Sequence, residues 1–487
     1  MKNQDLTNNE YETRKKKLAE MREKIIPYAD KFERTHTLLN ASQLEEGEEI
    51  AICGRIIFKR SFGKFMFMKL WDLTGIMQIS CSLNEISDKD FKELKNNIEV
   101  ADFIGVNGVI YRTKTGELTL RVLEYKLLSK ALRPLPEKFH GLSNIETRYR
   151  QRYLDLISNE DTRKVFIKRS KTIQYIRKFL NENDFLEIET PILQAVASGA
   201  AAKPFITKHN ALDIELFMRI APELYLKQAI SGGFDRVFEI GKNFRNEGMD
   251  ASHLQEFTML EWYAAYWDYN DNISFTRKLL IGLLDEVYGS RTIEFEGHTI
   301  DFDSEWERMD YCQEINNLIQ CNILDFTELD ALKRIIQKYD LLNQNDLDKA
   351  SSIPVLIDLL YKKKIRPYII QPTIIFNYPA CLIPLARRSD KDSRIIDMFQ
   401  LVVCGWELVK AYSELVDPER QRDNFIEQAK NKSNGDEEAF EVDNNFLLAM
   451  EHGMPPMSGL GIGIDRLVAL LCNQPTLRDV VLFPIMR

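Results

Sequence analysis

The stretch Arg219 to Tyr269 constrains this chain more than any other. It reads Arg219-Ile-Ala-Pro-Glu223-Leu-Tyr-Leu-Lys227, then Val237-Phe-Glu-Ile-Gly-Lys-Asn-Phe-Arg245-Asn-Glu247-Gly248, then His253-Leu-Gln-Glu-Phe257-Thr-Met-Leu-Glu261-Trp-Tyr263. Two apolar and aromatic runs flank a polar, glycine-containing gap from Gly248 to Gln255, which is the pattern of a β-hairpin with a long loop. Strand alternation puts Arg245 and Glu247 on one face, and Phe257, Met259, Glu261 and Tyr263 on one face of the partner strand. A guanidinium grips a phosphate with two prongs, and an aromatic face suits a purine ring. An Arg, acids, a His and aromatics on one surface therefore fit a flat, charged ligand. A solvated sheet face laced with salt bridges fits the hairpin too, if the hairpin is taken alone.

The C-terminus removes that ambiguity. Gly459-Leu-Gly461-Ile-Gly463-Ile-Asp465-Arg466-Leu-Val-Ala-Leu-Leu is a strand with glycine at alternate positions that runs into an apolar helix. Glycines at that spacing bare one strand face, so a ligand can approach the backbone, and Arg466 at the start of the helix can stack over a ring. The pair FRNEG…EFTMLEWY and GLGIGIDR resembles motifs 2 and 3 of the class II aminoacyl-tRNA synthetases. From about residue 50 to the last residue, the segments are similar to the bacterial-type lysyl branch of that family. The resemblance implies an α+β chain: an N-terminal OB-type β-barrel, then a class II catalytic domain built on an antiparallel β-sheet flanked by helices. On that reading residues 1–47 are a helical extension, 48–130 the barrel, 131–158 a linker and 159–487 the catalytic domain, with a helical insertion over about 270–370.

Composition agrees with this division. A chain of 487 residues holds two or three domains. No apolar run approaches the ~20 residues that span a membrane, and Met-Lys-Asn-Gln-Asp at the start lacks the apolar core of a signal peptide. The seven cysteines are scattered, with no Cys-x-x-Cys pair, so neither a zinc site nor a disulfide framework is expected, and a cytoplasmic location fits. A formal net charge of −9 excludes blanket nucleic-acid binding but leaves room for a local basic surface.

Along the chain, residues 8–33 read as a charged helix carrying the basic run Arg14-Lys-Lys-Lys17. That run is either a solvated face or a contact with a tRNA backbone. Five short β-like runs between 48 and 130, with glycine-containing turns, fit an OB-type barrel. Phe67 lies mid-strand near Lys59, Arg60 and Lys64, where periodicity alone leaves a base-stacking platform and a core residue equally open. The prolines of Leu132-Arg-Pro-Leu-Pro suggest a linker, and His140 reads as structural. Thr162 to Asn181 is read as a helix and Phe185 to Pro191 as a strand. The small residues from Ser198 and Gly199 to Ala202 permit close approach of a ligand. Residues 398–415 are strand-like, and 418–440 are polar and helical.

The resemblance assigns roles. It implies a lysine–tRNA ligase that activates L-lysine with ATP and passes the lysyl group to tRNA(Lys). Arg245 would bridge the α-phosphate and the lysine carboxylate, Phe257 and Arg466 would sandwich adenine, Glu247 would meet its amino group, and His253 would reach the outer phosphates. Glu407 would bind Mg2+, with Gln400 a weaker second ligand. Gly199 and Glu223 would hold the α-ammonium, Tyr263 and Glu414 the ε-ammonium, and Lys410 would stand near the carboxylate. Arg60, Phe67, Gln78 and Glu117 would read the anticodon, and the segment 162–191 would form a homodimer interface. Gln400 and Lys410 depart from the family pattern, which has Glu and Asn there. An aspartate pocket would need a cation where Glu414 stands. A single-strand binder without catalysis would not need Arg245, Arg466 or the alternating glycines.

Overall fold

The computed structural model describes residues 2–135, 142, 144–197, 199–200, 202–433 and 442–486. His140, Ser198, Ala201 and residues 434–441 of the polar stretch lie outside the described residues. The chain forms two compact units, Met1–Asn159 and Glu160–Arg487.

The first unit is a closed five-stranded barrel. Its strands are β1 (Glu49–Phe62), β2 (Phe65–Trp71), β3 (Ile76–Ser82), β4 (Phe103–Arg112) and β5 (Leu118–Ser129), in the order β1-β2-β3-β5-β4. Period-two alternation builds it: Met66, Met68 and Leu70 of β2 are fully buried, while Phe65, Phe67 and Lys69 face the other way. Phe67 is therefore on the outer wall. The N-terminal helix spans Lys2–Arg22, not the whole of 8–33. Arg14 is buried and donates from Nη1 to the carbonyls of Val100 (3.0 Å) and Ala131 (3.3 Å), and Lys17 pairs with Glu99 at 2.6 Å. Two of the four cations in the basic run thus hold the helix on the barrel.

The second unit is organised on one large sheet. Its strands in chain order are β6 (Leu186–Glu187), β7 (Leu193–Gln194), β8 (Ile206–His209), β9 (Ile214–Met218), β10 (Arg236–Phe244) and β11 (Glu256–Ala265). There follow β12 (Thr292–Phe295), β13 (His298–Asp301), β14 (Glu307–Asp310), β15 (Thr373–Pro379), β16 (Ile395–Val403), β17 (Trp406–Ser413) and β18 (Met457–Gly463). The sheet order is β14-β15-β16-β17-β18-β11-β10-β6, with β12-β13 and β7-β9-β8 as small separate sheets. All pairings in the large sheet are antiparallel except the outermost at each end, β14–β15 and β6–β10.

Alternation divides the strand side chains between two cores. Phe238, Leu260, Trp262, Phe399, Leu401 and Leu460 pack on one face with the helices Glu160–Glu182, Tyr269–Leu283 and Ile464–Leu471. Val237, Tyr263, Met398, Tyr412 and Met457 pack on the other with the helices Glu223–Ser231, Tyr311–Ile319, Ile353–Lys364 and Asn444–Glu451. Two sequence readings need correction. The strand expected over 185–191 is only the two residues of β6, because Pro191 and the turn toward β7 end it early. Nor is 270–370 wholly a helical insertion, since β14 inside it forms an edge of the large sheet. Its sequence, Glu-Arg-Met-Asp, carries no apolar alternation and gives no strand signal.

Candidate active site

A cavity of ≈ 300 Å³ lies on the Tyr263 face of the large sheet. It is walled by β11, β17 and β18, by the loop between β10 and β11, and by the segment around Gly199. Gly199, Glu223, Arg245, Glu247, His253, Phe257, Tyr263, Glu407, Lys410 and Arg466 all line it. Gln400 and Glu414 do not, and Glu261, to which the sequence reading gave no role of its own, does.

The strand chemistry explains this placement. β10 stops at Phe244, so Arg245 and Glu247 are loop residues and do not alternate on a strand. They are fixed by backbone contacts instead. Arg245 N donates to Gln255 O at 2.8 Å, Asn246 N to Lys203 O at 2.7 Å, and Gln255 Nε2 to Glu247 O at 2.9 Å. Simple alternation along β17 would put Glu407 and Lys410 on opposite faces. The register shows why they share one: Leu401 pairs with Val409 but Val402 pairs with Glu407, so Leu408 is bulged out. One extra residue resets the strand's phase.

At the deep end, Glu223, Glu261 and Glu414 are each under a tenth exposed. Tyr412 Oη donates to Glu223 at 2.7 Å, and Tyr263 Oη donates to Glu261 at 3.1 Å. The buried ammonium of Lys227 donates to Glu223 at 2.6 Å and pairs with Oε2 of Glu414. Glu414 Oε1 is buried without a hydrogen-bond partner among the described residues. Gly459 makes room for this packing, since a Cβ there would collide with the Tyr263 ring and with Glu414 Oε1. Gly461 and Gly463 would leave a Cβ no heavy atom nearer than 3.8 Å, so their bareness serves the open cavity. Burial, then the charge of Glu223, raises the Glu261 carboxyl to about 8. Burial also pushes the Glu414 carboxyl well up, with Lys227 opposing it. For Lys227 burial alone would lower the ammonium, but Glu223 and Glu414 outweigh it and hold it above its ordinary value.

The other end is more open. The Arg245 guanidinium lies 5.1 Å from the Phe257 ring centre, and its Nε is buried with no hydrogen-bond partner among the described residues. Burial lowers its pKa, against the pull of Glu247 and Glu261. Arg466 donates from Nη1 to Glu407 O at 3.3 Å and from Nε to Ser252 O at 3.3 Å. Its Nη2 is 3.0 Å from His253 Nε2, and His253 Nδ1 is 2.9 Å from Asp250. A guanidinium can only donate, so His253 Nε2 accepts and the ring proton sits on Nδ1 toward Asp250. Asp465 ties the walls together. It accepts from Thr258 N at 2.8 Å and pairs with Arg169 of the long helix Glu160–Glu182 at 2.6 Å.

For a divalent cation, one carboxylate is in place and a second ligand is not. Glu407 is on the wall, but Gln400 Oε1 already accepts from Tyr378 Oη at 2.8 Å, and Lys410 is its cross-strand neighbour. Among the described residues no group of three or more His, Cys, Asp or Glu could hold a metal ion. Glu407 alone suits a magnesium ion that takes most of its ligands from substrate phosphates and water.

On the barrel, the sequence candidates share a wall. Arg60 pairs across strands with Phe67, and Lys69 with Gln78. Gln78 Nε2 donates to Thr119 Oγ1 at 3.0 Å, and Glu117 pairs with Lys69 at 3.4 Å. Phe65 and Phe67 have ring centres 4.9 Å apart. Among the described residues no helix is long and apolar enough to cross a membrane.

Residues 144–487 match the family described as tRNA synthetases class II (D, K and N), and residues 50–128 match the OB-fold nucleic acid binding domain. A lysine–tRNA ligase of Pelotomaculum thermopropionicum is 44% identical over 482 residues, covering 97% of this chain and 94% of its own length. One from Escherichia coli O157:H7 is 41% identical over 491 residues, covering 99% and 96%. One from Aquifex aeolicus is 44% identical over 437 residues, covering 89% and 72%.

Proposed function

Because the chain belongs to the class II tRNA synthetases (D, K and N) and is a lysine–tRNA ligase, we propose that the two ends of its sheet cavity divide the work between lysine and ATP. The observation that carries this reading is the pairing of a buried acid cluster with a guanidinium whose Nε has no partner among the described residues. Acids suit the two ammonium groups of lysine, and the guanidinium suits the anions that must meet between lysine and ATP.

In the first step a lysine carboxylate oxygen attacks the α-phosphorus of ATP, and the bond to pyrophosphate breaks. Both reactants are anionic there, so the chain's task is to orient them and offset charge. Arg245 bridges the lysine carboxylate and the α-phosphate, and Lys410 adds positive charge from the opposite wall. Phe257 and Arg466 hold adenine, Glu247 meets its amino group, and His253 turns to the outer phosphates. Glu223, beside Gly199, receives the α-ammonium. Glu261 and Tyr263 meet the ε-ammonium, with Glu414 buried behind them. Mg2+ bound to ATP offsets phosphate charge, and Glu407 is the residue that would hold it. In the second step a terminal ribose hydroxyl of tRNA(Lys) takes the lysyl group and AMP leaves. Arg60, Phe67, Gln78 and Glu117 form the anticodon wall, where stacking and edge contacts read bases.

Exposed apolar residues in the segment 162–191, Ile167 and Leu186, support a homodimer through that segment, and seven scattered cysteines with no Cys-x-x-Cys pair support a cytoplasmic location. A monomeric mass at micromolar concentration in a fully active sample would refute the dimer. The functional reading is tested by amino-acid-dependent pyrophosphate exchange with all twenty amino acids. Lysine alone should support exchange, and equal exchange with a neutral amino acid would sink it.

A further inference from the structure

We propose that Lys227 is a positioning residue that sets the charge of the amino-acid end: its pairing with Glu414 opposes the protonation that burial favours there, so that, once the proton of Glu261 is gone, three acids and one internal cation sum to two negative charges facing a doubly cationic substrate. This rests on the functional reading above.

Lys227 follows Glu223 by four residues on the helix Glu223–Ser231, a spacing that normally gives a modest pair in water. Here the ammonium is buried and reaches two elements. It donates to Glu223 of its own helix and pairs with Glu414, which follows β17. It also lies 5.8 Å from the ring centre of Tyr263 on β11 and 5.5 Å from that of Tyr412 on β17. Those two hydroxyls donate to Glu261 and Glu223 respectively, which leaves Glu414 to Lys227. With Glu261 deprotonated, the three carboxylates of Glu223, Glu261 and Glu414 and the ammonium of Lys227 sum to −2 at this end of the cavity. The α- and ε-ammonium groups of lysine bring that sum to zero. Without Lys227 three carboxylates would crowd one desolvated space, where repulsion and burial favour a proton on one of them. Glu414 has Lys227 as its ion-pair partner and would take that proton. Lysine would then have to displace it in order to bind.

The test is lysine-dependent pyrophosphate exchange from pH 6 to 8.5 for wild type, Lys227→Met, Glu414→Gln and the double variant. Thermal melts and the KM for ATP report the fold. In wild type, the lysine KM should fall with rising pH by the titration of one proton, that of Glu261. In Lys227→Met the lysine KM at pH 7 should rise at least tenfold and its pH dependence should steepen toward two protons, with the ATP KM within twofold of wild type. The double variant restores the sum of −2. It should return to the one-proton slope and be less impaired than the product of the two single variants. A purely structural role would leave the slope unchanged. Should Lys227→Met not fold, Lys227→Arg keeps the charge and should keep the one-proton slope. Multiplying single-variant effects, an unaltered slope in Lys227→Met, or a two-proton slope in Lys227→Arg overturns the proposal. Wild type that shows no lysine-dependent exchange overturns the functional reading as well. Active wild type with multiplying effects overturns only the role of Lys227.

Discussion

At the deep end of the cavity, Glu223, Glu261, Tyr263 and Tyr412 are buried and bonded to one another or to Lys227 before any substrate arrives. At the open end, Glu247 and His253 are exposed, Arg466 is held by the carbonyls of Ser252 and Glu407 and by His253, and Arg245 Nε has no partner among the described residues. On the proposed reading the two ends face different ligands. A lysine ammonium is small and must be told from neutral side chains, which needs rigid acids that remain unsatisfied when the wrong side chain enters. ATP is large and its phosphates rearrange during reaction, which needs donors free to follow the charge as it moves. On that reading selectivity sits in packed strands and one helix, and charge handling sits in a loop and at a helix start.

The largest expected effect breaks the open end. Arg245→Ala should lower the rate of adenylate formation about 10²–10³-fold, the usual cost of one lost charge-stabilising donor. Its melting temperature should barely move, because an unpartnered Nε contributes little to the fold. A large loss of stability with modest loss of rate would make Arg245 a scaffold residue and erase the contrast between the ends.

Next comes the deep end. Glu261→Gln should weaken lysine binding roughly 10–100-fold, the cost of one charge-assisted contact, while the KM for ATP stays put. The pH dependence follows from its titration. The Glu261 carboxyl is raised in the folded chain from 4.5 to about 8, so the fold binds a proton there that the unfolded chain releases earlier. Its stabilising share is complete below the unfolded value and is lost as pH rises through about 8. Free enzyme should therefore melt lower at pH 8.5 than at pH 6, and Glu261→Gln should shrink that difference. Identical melting curves against pH for both proteins would place Glu261 in contact with water.

The smallest expected effect leaves both ends untouched. Phe67→Ala should weaken charging of tRNA(Lys) by about 1–3 kcal/mol, one lost base stack, with pyrophosphate exchange unchanged. A parallel fall in exchange would mean that the substitution damages more than a base platform.

The sequence made the barrel, the hairpin, the glycine strand and the helix behind it legible, because each carries a strong period or an alternation of glycines. It hid what depends on a single contact. Lys227 sits where a helix would send an ammonium to solvent, and only packing reveals it between two acids. Glu261 reads as one more acid on an amphipathic strand, although its position beside Trp262 and two residues before Tyr263 was the available hint. Arg14 looked like a surface cation within a basic run, and its two carbonyl partners lie 86 and 117 residues away. β14 has four residues, none of them strongly strand-forming, and exists because β15 offers it an edge.

The bulge at Leu408 carries a lesson about reading frames. A strand normally addresses one side with every second residue, so a gap of three between two groups on the same side is out of step. β17 inserts one residue and splits into two segments, each in step with itself: Glu407 before the slip, Lys410 and Tyr412 after it. Flattening the bulge with the residue count kept, so that Val402 faced Leu408, would restore a single frame and turn Glu407 toward the opposite core, among Phe399 and Leu401, with no change in any functional side chain. The integrity of the site at this strand is thus a matter of counting as well as chemistry. A substitution at 408 has to preserve the bulge and fill the space of a side chain that is 2% exposed.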